Sequence, residues 1–86
     1  MTVLKVSAKS NPASVAGALA SILRETGKAE MQAIGAGAIN QAVKAMALAK
    51  SYLAEDGYTV VFIPEFVDVE IDDKIRTAIK FVVEPR

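Results

Sequence analysis

The sequence predicts a two-layer α+β sandwich of order β-α-β-α-β-β, a four-stranded sheet with two helices on one face. Three observations predict it. The first two thirds of the chain switch twice between strand period and helix period. The stretch Phe66–Val83 then alternates apolar and polar side chains across one tight turn, the pattern of a hairpin. Finally, 86 residues with 52% hydrophobic content, and no linker, repeat or biased segment, make a single domain spanning 1–86.

The elements follow in order. "VLKVSA" sets Leu4, Val6 and Ala8 against Lys5 and Ser7, the alternation of a half-buried strand. "KSNPAS" starts a helix, with Asn11 as N-cap and Pro12 in the first turn. Val15, Ala18, Leu19, Ile22 and Leu23 form its apolar face, and Gly27 is the expected C-terminal cap. "AEMQAI" is a short strand ending at Gly35. A second helix is expected from near Ala38 to about Leu53, with Ile39, Ala42, Val43, Met46, Ala49 and Leu53 inward and Asn40, Gln41, Lys44 and Ser51 outward. "EDG" at 55–57 is a turn. "YTVVFI" is apolar on both faces, which predicts a strand covered on both sides or placed in a subunit interface, interrupted at Pro64. In the hairpin, Val67, Val69 and Ile71 face one way and Asp68, Glu70 and Asp72 the other. "DDK" makes the turn, and Ile75, Ile79, Phe81 and Val83 share one face of the return strand.

Composition excludes several function classes. The chain has no cysteine and no histidine, which removes disulfides, thiol chemistry and the commonest general base and transition-metal ligand. Ser14 therefore has no histidine to activate it, and the sequence predicts a protein that is not an enzyme and has no cofactor. Asn40, Gln41, Lys44 and Lys50 interrupt the longest apolar stretches, so no membrane segment is expected, and "MTVLKVSAKS" has no apolar run of signal length. The expectation is a cytoplasmic protein. Net charge is zero but unevenly placed. Residues 1–54 carry Lys5, Lys9, Arg24, Lys28, Lys44 and Lys50 against Glu25 and Glu30, a balance of +4. Residues 55–86 carry Lys74, Arg76, Lys80 and Arg86 against Glu55, Asp56, Glu65, Asp68, Glu70, Asp72, Asp73 and Glu84, a balance of −4. Binding of a nucleic-acid backbone would need a local basic patch in the first half, because phosphate neutralisation supplies much of such affinity.

The stretch "AIGAGAINQAVKA", Ala33–Ala45, carries two glycines one residue apart between a strand and a helix. Backbone N–H groups at a helix N-terminus in that setting bind phosphate. A dinucleotide fingerprint would place a third glycine where this chain has Asn40, and would need a larger parallel sheet. The alternative is a tight turn in which Gly35 and Gly37 allow positive φ and close approach of helix to strand. Lys9, Ser10 and Asn11 form a polar loop before the first helix, suited to capping or to phosphate contact. Asp68, Glu70 and Asp72 share one strand face and suit either a solvated surface or a hard cation such as Mg²⁺ or Ca²⁺.

"LKVSAKSNPASVAGALA", "AEMQAIGAGAINQAVKA" and "RTAIKFVVEPR" closely resemble the bacterial stage V sporulation protein S family, nearly end to end. The layout is also similar to the Alba superfamily of small nucleic-acid-binding proteins. That resemblance implies an Alba-like mixed sheet of order 1-2-4-3, backed by two helices, in a homodimer. It also implies DNA or RNA contacts from three regions: Lys9, Ser10 and Asn11 before the first helix; Gly35, Gly37, Asn40, Gln41 and Lys44 around the second helix start; and Lys74 and Arg76 in the hairpin. Lys9 and Lys44 are the cations of the first two regions, and Asp68, Glu70, Asp72 and Asp73 make the hairpin acidic.

Two functional expectations follow. One is a dimeric regulator of sporulation or development that binds nucleic acid. The other is an interaction module that binds protein or a small anion at the glycine turn, consistent with zero net charge.

Overall fold

Each local signal in the chain yields one element. β1 (Val3–Val6), α1 (Pro12–Thr26), β2 (Ala29–Ala33), α2 (Ala36–Ala54), β3 (Val60–Ile71) and β4 (Lys74–Pro85) follow in the expected order. The structure is a computed structural model that describes residues 3–86. Met1 and Thr2, part of the stretch considered for a leader, lie outside the described residues.

The strands form one mixed sheet of order β1-β2-β4-β3, as the resemblance implied. β1 and β2 are parallel, with Leu4 opposite Met31 and Val6 opposite Ala33. β4 runs antiparallel to both neighbours. Ala29, Met31 and Ala33 of β2 and Phe81 and Val83 of β4 are buried beneath the helices, together with Val6 and Val60. Leu19 and Leu23 of α1 and Met46 and Leu53 of α2 close over them. Where bulk is absent, alanine takes its place: Ala16 and Ala20 of α1 and Ala42, Ala45 and Ala49 of α2 are buried, so the helices approach closely.

The caps form as expected. Asn11, in extended backbone, accepts the N–H groups of Ala13 at 2.9 Å and Ser14 at 3.1 Å, and Pro12 opens the first turn. Gly27 ends α1 at φ 79°, its N–H donating to the Leu23 carbonyl at 2.9 Å. The hairpin turn places both Asp72 and Asp73 at positive φ, 51° and 62°, as a two-residue loop requires for its twist to match the strands.

Several boundaries and faces differ from expectation. β1 stops at Val6, and Ala8 belongs to a turn closed by Ser10 N–H on the Ser7 carbonyl at 3.1 Å. α2 begins at Ala36, two residues early, because only Gly35 needs positive φ (89°) while Gly37 is helical. Ala18 and Val43 are exposed, and the buried stripes run instead through Ala16, Ala20, Ala38 and Ala45. Alanine periodicity marks the true seam, because neighbouring helices meet through their smallest side chains. β3 continues through Pro64, which lies opposite Phe81. It is an edge strand, where a missing N–H costs no ladder partner on the open side. For the same reason "YTVVFI" is not covered on both sides: Val61 and Ile63 lie on the face that carries no helix, and Ile63 is exposed.

The hairpin outruns the rest of the sheet. Ala33, the last residue of β2, lies opposite Ile79, so the five residues Lys74–Ala78 and their β3 partners project about 17 Å beyond it, at ~3.4 Å per residue. Phe66, at the base of this arm, is 82% exposed and Ile75, on it, is 74% exposed, although both continue the row that Phe81 and Val83 bury.

Gly37 is the most crowded of the glycines: a Cβ there would lie 2.9 Å from the Ala8 Cβ. Gly17, exposed in mid α1, has open space around it. Gly37→Val is expected to destabilise the fold by about 1–3 kcal/mol through overpacking, a Tm fall on the order of 10 °C. Gly17→Ala is expected to stabilise by about 0.5–1 kcal/mol, since it only removes backbone entropy from the unfolded chain. Thermal melts of the two variants check both signs.

Candidate nucleic-acid interface

β1 and β2 are parallel, so the β1–α1 loop and the β2–α2 turn leave the sheet at the same end. Each is short and self-braced. In the loop, the Ser7 N–H donates to Ser10 Oγ at 2.9 Å and the Lys9 N–H donates to Ser7 Oγ at 3.2 Å. The Ser10 hydroxyl and the Asn11 carboxamide oxygen are therefore engaged inside the loop, and the Lys9 ammonium is its outward group.

The turn is built differently. Gly35 precedes α2 at φ 89° and has no side chain to cap it. The Ile39 N–H reaches back to the Gly35 carbonyl at 3.0 Å, so the N–H groups of Ala36, Gly37 and Ala38 are the ones without an acceptor in the helix. They form the positive end of the helix dipole, and no acidic residue occupies the first turn. Asn40 and Lys44, four residues apart, are exposed on the same side of α2.

Two contacts lock these pieces together. Ala8 sits against Gly37 with no room for a further methyl. Gln41 Nε2 donates to the Ser10 carbonyl at 2.9 Å across 31 residues of sequence. Gln41, expected to face outward and touch ligand, is thus half-buried and acts as a brace between loop and helix. The loop with Lys9, Ser10 and Asn11 meets the start of α2, with Gly35, Gly37 and Gln41, at one end of the sheet, and Asn40 and Lys44 are exposed on α2 beside Gln41. Lys9, Asn40, Lys44 and the α2 amides are the outward chemistry of this junction, and Lys9 and Lys44 join no ion pair among the described residues.

Lys74 and Arg76 lie on β4 of the hairpin, opposite Ile71 and Val69. Lys80, on the helix-free face of the sheet, lies 3.4 Å from Glu65 and 4.0 Å from Glu30. Counting in twos along β4 puts Arg76 and Lys74 on that same face, opposite Val69 and Ile71. Asp68 and Glu70, paired with Thr77 and Ile75, lie on the other face, where Thr77 Oγ1 donates to Asp68 Oδ1 at 3.4 Å. The arm therefore separates its charges, cations on one side and carboxylates on the other. An open cleft of about 510 Å³ is lined by Lys5, Ser7 and Ala8 from the end of β1 and its following loop, by Gln32, and by Val69 and Ile71, the pairing partners of Arg76 and Lys74. Lys5 escaped the sequence reading; its signal is the β1–β2 register, which sets it beside Gln32.

Among the described residues no group of three or more acidic side chains is arranged to hold a metal ion. No helix of the described residues is long and apolar enough to cross a membrane.

Gln41→Ala should leave the Ser10 carbonyl without its partner at a cost of about 1 kcal/mol. Amide exchange at Lys9 and Ser10 should accelerate while the sheet core stays protected, a difference that hydrogen-exchange NMR resolves.

The family model described as stage V sporulation protein S matches residues 2–86. That span takes in the Ser-Asn-Pro loop, the glycine turn and the arm together, and the chain belongs to the stage V sporulation protein S family.

Proposed function

We propose that this protein is a non-enzymatic, dimeric regulator of sporulation that binds DNA or RNA through the β1–α1 loop and the glycine turn before α2. Family membership supplies the link to sporulation. The observation that supports the ligand is the braced junction itself: the Ala8–Gly37 contact and the Gln41–Ser10 hydrogen bond hold Lys9, uncapped α2 amides, Asn40 and Lys44 on one exposed surface. A phosphate backbone suits these groups, because backbone and side-chain amides position it while lysines displace its counterions. None of them reads base edges on a rigid recognition helix, so the binding mode is backbone-led and weakly sequence-dependent.

Two outward cations per chain are few. Two copies bring four, and the salt dependence should reflect that number. The expected slope of log K against log salt is roughly −2 to −4. A second reading, an interaction module for protein or a small anion, is favoured by the zero net charge and by the carboxylates on the arm.

Gel shifts with duplex DNA and single-stranded RNA at two salt concentrations test the proposal. Binding should appear at low salt, and Lys9→Glu or Lys44→Glu should each weaken it at least ~10-fold and flatten the slope. Stability should change by less than about 0.5 kcal/mol, since both side chains are exposed and unpaired. Absence of binding at low salt, or charge reversals without effect, rejects this surface, and partners captured from nuclease-treated lysate would then favour the second reading.

A further inference from the structure

The open cleft of about 510 Å³ has the size of a small-ligand site. Three segments far apart in sequence build it: β1 with its following loop, Gln32 and Ile34 at the end of β2 and just beyond it, and the arm around Val69 and Ile71. Alternation brings their side chains to one side. Val6, Met31 and Ala33 are buried under the helices, so Lys5 and Gln32 face the other way, side by side in the β1–β2 register. Val69 and Ile71 take that same helix-free face of the arm, opposite Arg76 and Lys74.

Two polar groups stand unpaired in this cleft. Lys5 joins no ion pair among the described residues. Gln32 is half-buried, yet its carboxamide makes no hydrogen bond among the described residues. Lys80, the next group along the same cross-strand row, is by contrast occupied by Glu30 and Glu65. Arg76 and Lys74 add positive charge on the arm, with Asp72 and Asp73 at its tip. Glu70 contributes to the wall, but alternation carries its carboxylate to the helix-side face with Asp68. The apolar remainder of the lining is aliphatic, without an aromatic ring. A nucleobase would find no stacking partner there, whereas an alkyl chain meets surface of its own kind.

We infer that this cleft binds a small aliphatic carboxylate. The Lys5 ammonium and the Gln32 amide N–H groups hold the carboxylate, and Ile34, Val69 and Ile71 cover the alkyl chain. The argument for this occupant is complementarity: an unpaired cation and a free donor beside an aliphatic wall. The inference goes beyond the nucleic-acid reading, since none of Lys9, Asn40 and Lys44 lines the cleft. Occupancy bears on the loop all the same. Ser7 and Ala8 belong to the cleft wall, while the Ser7 carbonyl and hydroxyl close the β1–α1 loop and Ala8 seats against Gly37. A bound acid therefore stiffens the segment that carries Lys9.

Amide NMR titration of the full chain at low salt tests the inference, with hexanoate as the probe and hexanamide and adenosine monophosphate as comparisons. Hexanoate should shift the amides of Lys5, Gln32, Val69 and Ile71 saturably, with a Kd on the order of 1 mM. Hexanamide should bind at least ~10-fold more weakly, because it lacks the charge-assisted contact. Lys5→Gln should weaken hexanoate by about 10-fold and leave hexanamide unchanged. Its melting curve should match wild type, since Lys5 is exposed. Amide exchange at Lys9 and Ser10 should slow in saturating hexanoate. No saturable shift, equal binding of hexanamide, tighter binding of adenosine monophosphate at the same amides, or hexanoate binding indifferent to Lys5→Gln each overturns the site. Unchanged exchange at saturation overturns its link to the loop. A chain that binds hexanoate in this way yet shifts no nucleic acid rejects the Lys9–Lys44 surface and leaves the cleft intact.

Discussion

The junction of loop and helix depends on one close contact, between the missing side chain of Gly37 and the methyl of Ala8. A parallel strand pair sends its two following segments out at the same end, but does not by itself make them touch. Here they touch because a helical residue with no Cβ lets the start of α2 settle onto the β1–α1 loop. The Gln41 amide then fastens the loop from the side. Lys9 owes its position to both, since its own loop is a short turn held by serine hydroxyls. Gly35 contributes separately, by ending the strand at a φ that other residues resist, which frees the next three amides. A turn required for packing thereby leaves donors at the start of α2 without an acceptor in the helix.

A second constraint is the mismatch between hairpin and helices. α1 and α2 are long enough to roof β1, β2 and the near half of the hairpin, whereas β3 and β4 have twelve residues each. Strict alternation carries on past the roof, so residues of core type emerge into solvent. Alternation also sorts the charges of the arm, with Lys74 and Arg76 on the face of Lys80, and Asp68 and Glu70 on the face of Phe66. A linear count of charge in this segment gives an acidic hairpin; the two-sided ribbon presents one acidic and one basic surface.

Much of this was legible in the sequence. Element order, the Asn11 and Gly27 caps and the Asp72–Asp73 turn are set by residues within a few positions of one another, so local chemistry sufficed. The misjudged positions depend on distant neighbours. Pro64 marks a break only if its strand is flanked on both sides, and the sheet order makes it an edge. Ala18 and Val43 were placed inward by apolar spacing alone, but the helices close through Ala16, Ala20 and Ala45, and periodicity counts alanine poorly against valine. At the site, the sequence groups Lys9, Asn40 and Lys44 by their places at the starts of the two helices, and all three are exposed. The brace made by Gln41 was not visible, because its partner lies 31 residues away and is a backbone carbonyl. Which face Lys74 and Arg76 take is settled by register against Lys80, a matter of pairing rather than of composition.

The alanine seam between α1 and α2 has a consequence for how the molecule comes together. A methyl group has no rotamers to lose, so the surfaces formed by Ala16, Ala20, Ala42, Ala45 and Ala49 meet without freezing any side-chain freedom. Each contact is weak in dispersion, but little conformational entropy opposes it. The cohesion of the helical layer therefore comes from backbones lying near each other, and the same smallness that makes a thin interior keeps its assembly entropically light.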